Sequence, residues 1–366
     1  MSKKKSIYIV GTNGLGVNYG GWDKLVSKLI EALNHKYNIY VYTSKFEDLS
    51  NINNVYGATP IVVPLKANGF QSIFYDFFSM LHASFNKADI VLVLGLSGGV
   101  FFPIFKLFKS KIILNPDGAE WKRTKWNFFT RKFLKLSEYF GIKFADIIVA
   151  DNKVIQDDIK KSYLLESHIA EYGGDHVKAV DISKATLNEY NLEKYNYAFK
   201  VCRIVPENNL DIILRAFSVT NKKFILIGNW SNSEYGIELK DKFSKFQNLI
   251  LLDPIYDQSI LDELRGNCRF YIHGHSVGGT NPSLVEAMNL GLCCVVYDVN
   301  YNLETTSNLA IYFKDKEELL EVINNSWNDL KKISRVENNM LDIANKRYIW
   351  ERVVNEYDKI LSSLND

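Results

Sequence analysis

The hydrophobic positions of the chain fall into short continuous runs that alternate with longer stretches of helical spacing. Between the first two runs, six apolar side chains recur at helical spacing: Trp22, Leu25, Val26, Leu29, Ile30 and Leu33. Mostly apolar runs predict eleven strands, at residues 6–10, 39–43, 61–64, 90–94, 111–114, 147–150, 199–203, 223–227, 249–252, 269–272 and 293–297. Continuous apolar strands separated by helices are typical of parallel sheets covered on both faces, so the chain is predicted to be an α/β protein.

This alternating pattern occurs twice, on either side of a polar stretch with the composition of a hinge. The stretch begins with the sequence Tyr-Gly-Gly-Asp at residues 172–175 and runs to Asn196. Two Rossmann-like domains are therefore predicted, one at residues 1–172 and one at 173–342, followed by a last helix within residues 343–366.

Composition excludes several classes of protein. The 366 residues are 47% hydrophobic and 23% charged, which is too apolar for a disordered tail and too long for a disulfide miniprotein. None of the four cysteines forms a C-x-x-C pair, as expected in a reducing cytosol. The longest uncharged stretch, residues 90–105, falls short of the roughly 20 apolar residues that span a bilayer. A soluble intracellular protein is predicted.

The small net charge of +2 hides two oppositely charged halves. Residues 1–165 carry 22 basic against 13 acidic side chains, a net of +9, and the remainder carries 22 against 29, a net of −7. A basic half is suited to phosphates or an anionic surface, although acidic helical domains are common enough that the asymmetry alone decides nothing.

Two glycine-rich loops follow predicted strands. The first contains Gly11-Thr-Asn-Gly-Leu-Gly16 and then Tyr19-Gly20-Gly21, where glycines either let backbone amides approach a phosphate or serve a tight turn for steric reasons. The hexapeptide also fits a dehydrogenase pattern, but Thr43, Ser44 and Lys45 stand where a dinucleotide site favours an acidic residue.

The second loop is more informative. After the strand that ends at Ile272, a polar glycine-rich segment leads to Asn281, a candidate N-cap, and Pro282, the first residue of a helix that Gly291 closes. Such a loop offers amides to an anion at a helix N-terminus. Glu286 lies one turn inside, where it can accept hydrogen bonds from a ribose, while His273 and His275 either act in the site or merely satisfy loop carbonyls.

The ordered motifs resemble retaining glycosyltransferases of family 4, which have the GT-B fold. Gly278-x7-Glu286-Ala-Met occupies the place of the family's Glu-x7-Glu-Ala-Met element, and Arg203-Ile-Val-Pro-Glu-Asn-Asn resembles its arginine loop. The bacterial polysaccharide β-1,4-rhamnosyltransferases resemble the chain most within this family, by Asp-Gly-x-Glu-Trp-Lys-Arg at 117–123 and His-Ser-Val-Gly-Gly-Thr-Asn-Pro-Ser at 275–283. The resemblance covers essentially the whole chain.

This resemblance implies two Rossmann-like domains that face each other across a cleft, with the helix of residues 343–366 packing back on the N-terminal, acceptor-side domain. The C-terminal domain would bind a nucleotide sugar, through donor-binding residues Gly20, Gly21, Arg203, Gly278, Gly279, Thr280, Asn281, Ser283 and Glu286. Two positions depart from the broad family pattern. Gly278 replaces a glutamate that contacts the donor sugar, and Asn208 replaces a lysine that accompanies the arginine.

The candidate catalytic residues are Asp117 and His275. Asp117 comes just after the strand at 111–114 and is a candidate for contacting acceptor or sugar, the alternative being an Asp-Gly pair that only forms a turn. The resemblance implies a retaining hexosyltransferase without a metal or cofactor, and no Asp-x-Asp follows a strand. The departing phosphate oxygen would take the proton of the acceptor hydroxyl.

A basic, aromatic segment points to a membrane surface. Residues 121–144 carry seven basic side chains against Glu138 alone, with eight aromatic ones interleaved. Such a helix suits anionic headgroups and a lipid diphosphate, the alternative being a core helix with a solvated basic face. No nucleic-acid recognition fold accompanies these charges. The candidate acceptor and membrane residues are Glu120, Trp121, Lys122 and Arg123.

The sequence thus predicts a glycosyltransferase that moves L-rhamnose from dTDP-rhamnose onto a lipid-linked capsule or exopolysaccharide intermediate. It is expected in the cytoplasm, peripheral on the inner face of the plasma membrane. The alternatives are a family 4 enzyme that uses another UDP- or GDP-sugar, an NAD-dependent nucleotide-sugar epimerase or dehydrogenase, and a subunit that binds sugar nucleotide without turnover.

Overall fold

The computed structural model describes residues 4–16, 20–47, 57–118, 120–123, 126–255 and 257–364. The chain forms two compact units, Met1–Glu171 together with Glu351–Asp366, and Tyr172–Trp350. Each unit is a parallel sheet with helices, so the prediction of an α/β protein with two parallel-sheet domains is confirmed. The second unit extends to Trp350, eight residues beyond the predicted end at residue 342.

The first unit contains a seven-stranded parallel sheet with the order β3-β2-β1-β4-β5-β6-β7. Its strands are β1 (Ser6–Val10), β2 (Asn38–Ser44), β3 (Ala58–Val63), β4 (Ile90–Leu94), β5 (Lys111–Asn115), β6 (Ile147–Ala150) and β7 (His168–Ile169). Its helices are α1 (Gly21–Leu33), α2 (Gln71–Phe85), α3 (Phe102–Phe105), α4 (Phe128–Phe144) and α5 (Lys153–Tyr163).

The second unit contains a six-stranded parallel sheet with the order β10-β9-β8-β11-β12-β13. Its strands are β8 (Tyr197–Val201), β9 (Lys223–Ile227), β10 (Leu249–Leu252), β11 (Phe270–His273), β12 (Cys294–Tyr297) and β13 (Ile311–Phe313). The helices that follow α5 are α6 (Lys184–Glu189), α7 (Leu210–Ser218), α8 (Glu234–Phe243), α9 (Gln258–Gly266), α10 (Pro282–Asn289), α11 (Asn300–Thr305), α12 (Lys316–Ser326), α13 (Leu330–Arg347) and α14 (Trp350–Ser363).

The central strands are buried along their whole length, as parallel strands covered on both faces must be. All five residues of β4 are buried, and β4 pairs in parallel with both β1 and β5. The edge strand β3 contains Pro60, which the edge tolerates because an edge strand pairs on one side only. The sequence did not predict β7 and β13, which have only two and three residues and give no pattern to detect.

The last predicted helix is divided in the structure. α13 runs through the predicted start at residue 343 and ends at Arg347, and α14 begins at Trp350, so the prediction of one helix from residue 343 was wrong. Residues of α14 beyond Trp350 belong to the first unit, where the Tyr357 hydroxyl accepts a hydrogen bond from Asn115 Nδ2 at 3.2 Å. None of the helices in the described ranges is long and apolar enough to cross a membrane.

Two buried carboxyl groups lie near the carboxyl ends of β1 and β4. Asp76 on α2 is 2% exposed, and burial raises its pKa to about 8, against a hydrogen bond from the Gly98 backbone that lowers it. Burial likewise raises the pKa of Asp23 on α1 to about 6, against hydrogen bonds from Asn13, Gly20 and Gly14. Both groups favour the protonated form when the chain is folded, so their ionisation opposes folding.

We expect Asp76→Asn to flatten the pH dependence of stability. A native pKa of about 8 lies above the unfolded value of about 3.9, so this group lowers the free energy of unfolding by about 1.4 kcal/mol per pH unit between those values. Asparagine keeps an acceptor for the Gly98 amide but does not ionise. Urea unfolding across this pH window should show that the free energy of unfolding falls with rising pH less in the variant than in the wild type. The exposed Asp241→Asn is the control, and an equal slope in Asp76→Asn and wild type would contradict the expectation.

Candidate functional site

The loop between β11 and α10 is built as the sequence predicts. β11 ends at His273, residues 274–281 form the loop, and the Asn281 side chain caps α10 by accepting a hydrogen bond from the Ser283 amide at 3.1 Å. Pro282 occupies the first helical position, where its missing N–H costs nothing, and Gly291 has the left-handed φ of +64° just past the helix. The positive end of α10 therefore faces the loop.

This loop is joined to the loop that follows β8. The Asn209 side chain donates to the Gly274 carbonyl at 2.8 Å, and the Ser276 amide donates to the Glu207 carbonyl at 2.9 Å. A Cβ on Gly274 would lie 2.2 Å from the Asn208 carbonyl oxygen, so only glycine allows the two backbones to come this close. The two loops that carry the predicted donor motifs are thus brought together.

Arg203 follows β8 and is exposed. Asn208, which stands where the broad family has a lysine, donates from its side chain to the Arg203 carbonyl at 2.7 Å. It also supplies the carbonyl against which Gly274 packs. The departure at residue 208 therefore removes a positive charge and adds a hydrogen bond that shapes the arginine loop.

Glu286 lies at the centre of a polar network that the sequence did not predict. One carboxylate oxygen pairs with Arg265 of α9, and the other lies 3.1 Å from His176 Nε2. Burial would raise the pKa of Glu286, but the hydrogen bond from His176 and the positive charge of Arg265 hold the pKa below its usual range. Glu286 is therefore an ionised acceptor, as its predicted role requires. No periodicity connects residues 176, 265 and 286, so only the fold reveals these partners.

Two basic side chains are buried beneath this loop. Lys200 of β8 is fully buried and His273 is 1% exposed, and none of their side-chain nitrogens has a hydrogen-bond partner among the described residues. Burial lowers the pKa of Lys200, and burial together with the nearby Lys200 and His275 lowers the pKa of His273 well below its ordinary value. His275, a candidate catalytic residue, is half-buried, with its ring centroid 6.4 Å from that of His273.

The glycine-rich loop of the first unit has steric reasons for two of its glycines. A Cβ on Gly11 would lie 2.0 Å from the Leu94 carbonyl oxygen, and one on Gly14 would lie 2.2 Å from Thr43 Cγ2. The Gly20 amide, predicted to face a phosphate, instead donates to Asp23 Oδ2 at 3.1 Å. Asp23 therefore competes with any anion for this amide. Tyr19, the first residue of the Tyr-Gly-Gly motif, lies outside the described residues.

Asp117 lies after β5 in a left-handed conformation, with φ of +57°, and Gly118 follows with φ of +77°. The Asp117 amide donates to Asn115 Oδ1 at 3.3 Å, an Asx turn formed by the side chain of Asn115. Its carboxylate lies 3.8 Å from Arg123 Nη2, and Arg123 Nε lies 2.6 Å from Glu120. The structure thus brings Asp117, Glu120 and Arg123 into one charged cluster, in an uncommon backbone conformation that is often found at functional sites.

The basic, aromatic segment forms a groove of about 380 Å³ on the first unit. Six side chains line it: Trp121, Lys122, Phe128, Arg131, Lys132 and Lys135. The Trp121 indole donates to Glu138 at 3.0 Å, and the ammonium groups of Lys122 and Lys135 lie 5.5 and 5.0 Å from its ring centroid. Lys125, counted among the basic residues of this segment, lies outside the described residues.

A second apolar surface, the α2 phenylalanine face, was not predicted. Four side chains of this face are exposed by 42–76%: Phe70, Phe74, Phe78 and Phe85. α2 contains no lysine, arginine or glutamate, and its one aspartate, Asp76, is buried. Phe77 packs at a tilt against Phe101 and Phe85 packs edge-on against Phe108, beside α3, where Leu107 is 84% exposed. A contiguous exposed patch of large apolar side chains is typical of an interaction surface.

Two family models match the chain. Residues 4–175 match the model described as "Domain of unknown function (DUF1972)", and residues 184–340 match the model described as "Glycosyl transferases group 1". The second match covers the arginine loop, the loop after β11 and Glu286. It confirms the predicted enzyme class, a glycosyltransferase. A search of curated proteins found no match to the sequence.

Solved structures share the fold over nearly the whole chain. Sucrose-phosphate synthase from Thermosynechococcus elongatus has a TM-score of 0.79 at 13% identity, with 99% of each chain covered. Anabaena HepE in complex with UDP has a TM-score of 0.77 at 13% identity, covering 98% of this chain and all of that one. WaaG, a glycosyltransferase involved in lipopolysaccharide biosynthesis, has a TM-score of 0.73 at 14% identity, covering 97% and 99%. These neighbours confirm the predicted GT-B fold.

We expect Arg265→Leu to destabilise the second unit by about 3 kcal/mol, because it leaves the partly buried Glu286 carboxylate without its cationic partner. The lowered native pKa of Glu286 gives stability that is present above its unfolded pKa of about 4.3 and is lost as pH falls through the native value. The cost of the substitution should therefore shrink in acid. Calorimetric unfolding at neutral and acidic pH would measure it. The double variant Arg265→Leu/Glu286→Leu should recover part of the loss, and no recovery would contradict a charge-based cause.

Proposed function

From the premise that residues 184–340 form a glycosyltransferase group 1 domain in a chain with the GT-B fold, we propose a retaining family 4 glycosyltransferase. It transfers L-rhamnose from dTDP-rhamnose to a lipid-linked capsule or exopolysaccharide intermediate, without a metal or cofactor. The observation that carries the proposal is the loop at 274–281, which is joined to the Arg203 loop and followed by the ionised Glu286 one turn inside α10.

The donor diphosphate is assigned to Arg203 and the loop before α10. The amides of Gly278, Gly279, Thr280 and Asn281 precede the positive end of the helix, where an anion is favoured. Ser283 contributes differently from the original expectation, because its amide donates to the Asn281 side chain that caps the helix. Gly21 remains a proposed donor contact, whereas the Gly20 amide must leave Asp23 before it can bind phosphate.

Glu286 accepts hydrogen bonds from the ribose of the nucleotide. The lowered pKa keeps its carboxylate ionised at neutral pH, and an ionised carboxylate only accepts hydrogen bonds. The 3′-hydroxyl of the deoxyribose in dTDP, or the two hydroxyl groups of the ribose in UDP, are matching donors. The Anabaena HepE structures contain UDP and UDP-glucose, which favours a UDP-sugar as the second candidate donor.

The reaction stabilises a departing diphosphate and a positively charged sugar. In the proposed mechanism Arg203 and the loop amides receive the charge of the diphosphate, whose departing oxygen takes the proton of the acceptor hydroxyl. Asp117 and His275 remain the candidates for contacting the sugar or the acceptor. The Asp117 carboxylate, 3.8 Å from Arg123 Nη2, can bind a hydroxyl or a developing positive charge.

The acceptor is a lipid-linked saccharide held at an anionic membrane, on the inner face of the plasma membrane. The groove that contains Trp121 and Lys122 offers basic groups to a lipid diphosphate, and Glu120 and Arg123 lie next to it in sequence. The α2 phenylalanine face adds the apolar surface that a peripheral membrane protein buries among headgroups. Lys66 and Lys87, which flank α2 in sequence, are exposed and suit anionic lipids.

We expect dTDP-rhamnose to raise the melting temperature more than UDP- or GDP-sugars do at equal concentration. A ligand at 100 times its dissociation constant stabilises the folded state by about 2.7 kcal/mol.

Arg203→Ala should weaken binding about tenfold to a hundredfold, because it removes a charge-assisted hydrogen bond to the diphosphate. Arg215→Ala, which removes an exposed arginine on α7, is the matched control. A response to UDP-sugars alone would refute the dTDP donor, and unchanged affinity in Arg203→Ala would refute the diphosphate contact.

We expect the protein to sediment with anionic vesicles, more than with neutral ones. Phe74→Ser/Phe78→Ser should lower the vesicle-bound fraction at least tenfold, since each buried phenylalanine contributes roughly 1.5–3 kcal/mol. Val219→Ser/Ile237→Ser removes two exposed apolar side chains from the second unit and serves as the control. Lys132→Gln/Lys135→Gln should remove the preference for anionic lipid. Equal, negligible sedimentation with both vesicle types would refute the membrane assignment.

A further inference from the structure

The two oxygens of Glu286 are held from opposite directions by side chains far apart in sequence. Arg265 of α9 is 4% exposed and pairs with Oε2. His176, in the segment after β7, places Nε2 at 3.1 Å from Oε1. A carboxylate has about four lone-pair sites, so these two bonds leave acceptor capacity on both oxygens.

Trp350 determines which nitrogen of His176 carries the proton. The indole Nε1 lies 3.0 Å from His176 Nδ1, and an indole N–H is only a donor. Nδ1 must therefore accept, so the proton of the neutral ring resides on Nε2 and points to Glu286. The hydrogen bond from His176 to the carboxylate thus has a direction imposed by Trp350.

The backbone around His176 is held in place by close packing. A Cβ on Gly173 would lie 2.6 Å from Trp350 Cδ2, and one on Gly174 would lie 2.6 Å from the Val285 carbonyl oxygen of α10. The Trp350 amide also donates to Asp175 Oδ1 at 2.8 Å. The Tyr-Gly-Gly-Asp motif therefore brings His176 to α10 by contacts that a larger residue at either glycine would prevent.

Arg265 is held as firmly on the other side. Its Nη2 lies 3.2 Å from Asp262 Oδ1, and Asp262 itself is 6% exposed. Gln258 Nε2 donates to the same Asp262 oxygen at 2.8 Å. A buried guanidinium with two carboxylate partners has little freedom to rotate, so the Glu286 oxygen that faces it has a constant position.

We propose that His176, Arg265 and Trp350 are positioning residues that orient the Glu286 carboxylate toward the hydroxyl groups of the nucleotide ribose. The inference rests on the proposed function, because it needs Glu286 to contact the ribose. It adds residues from three separate segments to the site. Substituting these residues should reduce the affinity that the ribose hydroxyls contribute. The affinity that the diphosphate contributes should stay largely unchanged.

The test is the affinity ratio between a nucleotide and its dideoxy analogue, measured by calorimetry. The probes are UDP against 2′,3′-dideoxyuridine diphosphate, and dTDP against its 3′-deoxy analogue. The wild type should prefer the hydroxyl-bearing nucleotide about tenfold, the effect of one well-placed hydrogen bond to a charged group. Glu286→Gln and His176→Leu should bring the ratio to within about twofold, and Trp350→Phe should give an intermediate ratio.

His176→Gln is the conservative rescue, because its amide can donate to Glu286, and its ratio should exceed that of His176→Leu. His168→Leu, which removes an exposed histidine of the first unit, is the matched control and should keep the wild-type ratio. Circular dichroism and melting temperature identify variants that fail to fold. If His176→Leu does not fold, Trp350→Phe and His176→Gln still measure the ratio.

A merely structural role for His176 predicts that His176→Leu weakens both ligands by the same factor with the ratio intact. That result would overturn this inference and leave the proposed function standing. A wild type that binds nucleotides without any preference for the hydroxyls would remove the ribose contact of Glu286, and this inference with it. If the wild type binds none of the nucleotides, the proposed function itself fails.

Discussion

The close contact between two backbones, at Gly274 and Asn208, is the constraint on which the arrangement of the loops after β8 and β11 depends. A Cβ at residue 274 would overlap the Asn208 carbonyl oxygen, so this glycine lets the loop after β11 reach the loop after β8. The contact joins the loop that begins at Arg203 to the segment that leads into α10. The positive end of that helix and the carboxylate of Glu286 follow from the direction in which the chain then turns. The absence of a Cβ at residue 274 therefore brings the loop that carries Arg203 together with the loop that leads to the positive end of α10 and to Glu286.

The opposite net charges of the two halves can be related to the groups that the structure places in each half. The acidic second half, with a net charge of −7, contains the residues that match the group 1 glycosyltransferase model. Its candidate site is organised by local contacts, since Arg265 pairs with Glu286 and the positive end of α10 faces the loop. Net charge acts over the whole surface and is screened by salt, whereas these contacts act within a few ångströms. The basic half has most of its surplus in the segment of residues 121–144, which contains the groove at Trp121.

Sequence reasoning predicted the class of fold and most strands, because buried parallel strands have a strong apolar pattern. It missed β7 and β13, which are too short for any pattern. It also began its last helix at residue 343, inside α13, and ran it into α14 because helical spacing continues across Tyr348. In the candidate site, local motifs were enough to predict the Asn281 cap and to name Glu286 and Arg203, whose site roles stay predictions. It could not find Arg265 and His176, which reach Glu286 only through tertiary packing. It also could not foresee that Asp23 occupies the Gly20 amide, since a carboxylate three residues into a helix is ordinary in sequence.

Gly278 shows how a departure from a family motif can be a matter of backbone shape as well as of chemistry. Its φ is +110°, a conformation that residues with a Cβ rarely adopt, yet a Cβ there would meet nothing closer than His275 Nε2 at 3.8 Å. Space is available for the family's glutamate, but the backbone conformation disfavours it. The positive φ at residue 278 therefore explains why glycine, and not a glutamate, stands there. A loop of this shape presents backbone amides at the position where the enzymes that the sequence resembles have a carboxylate.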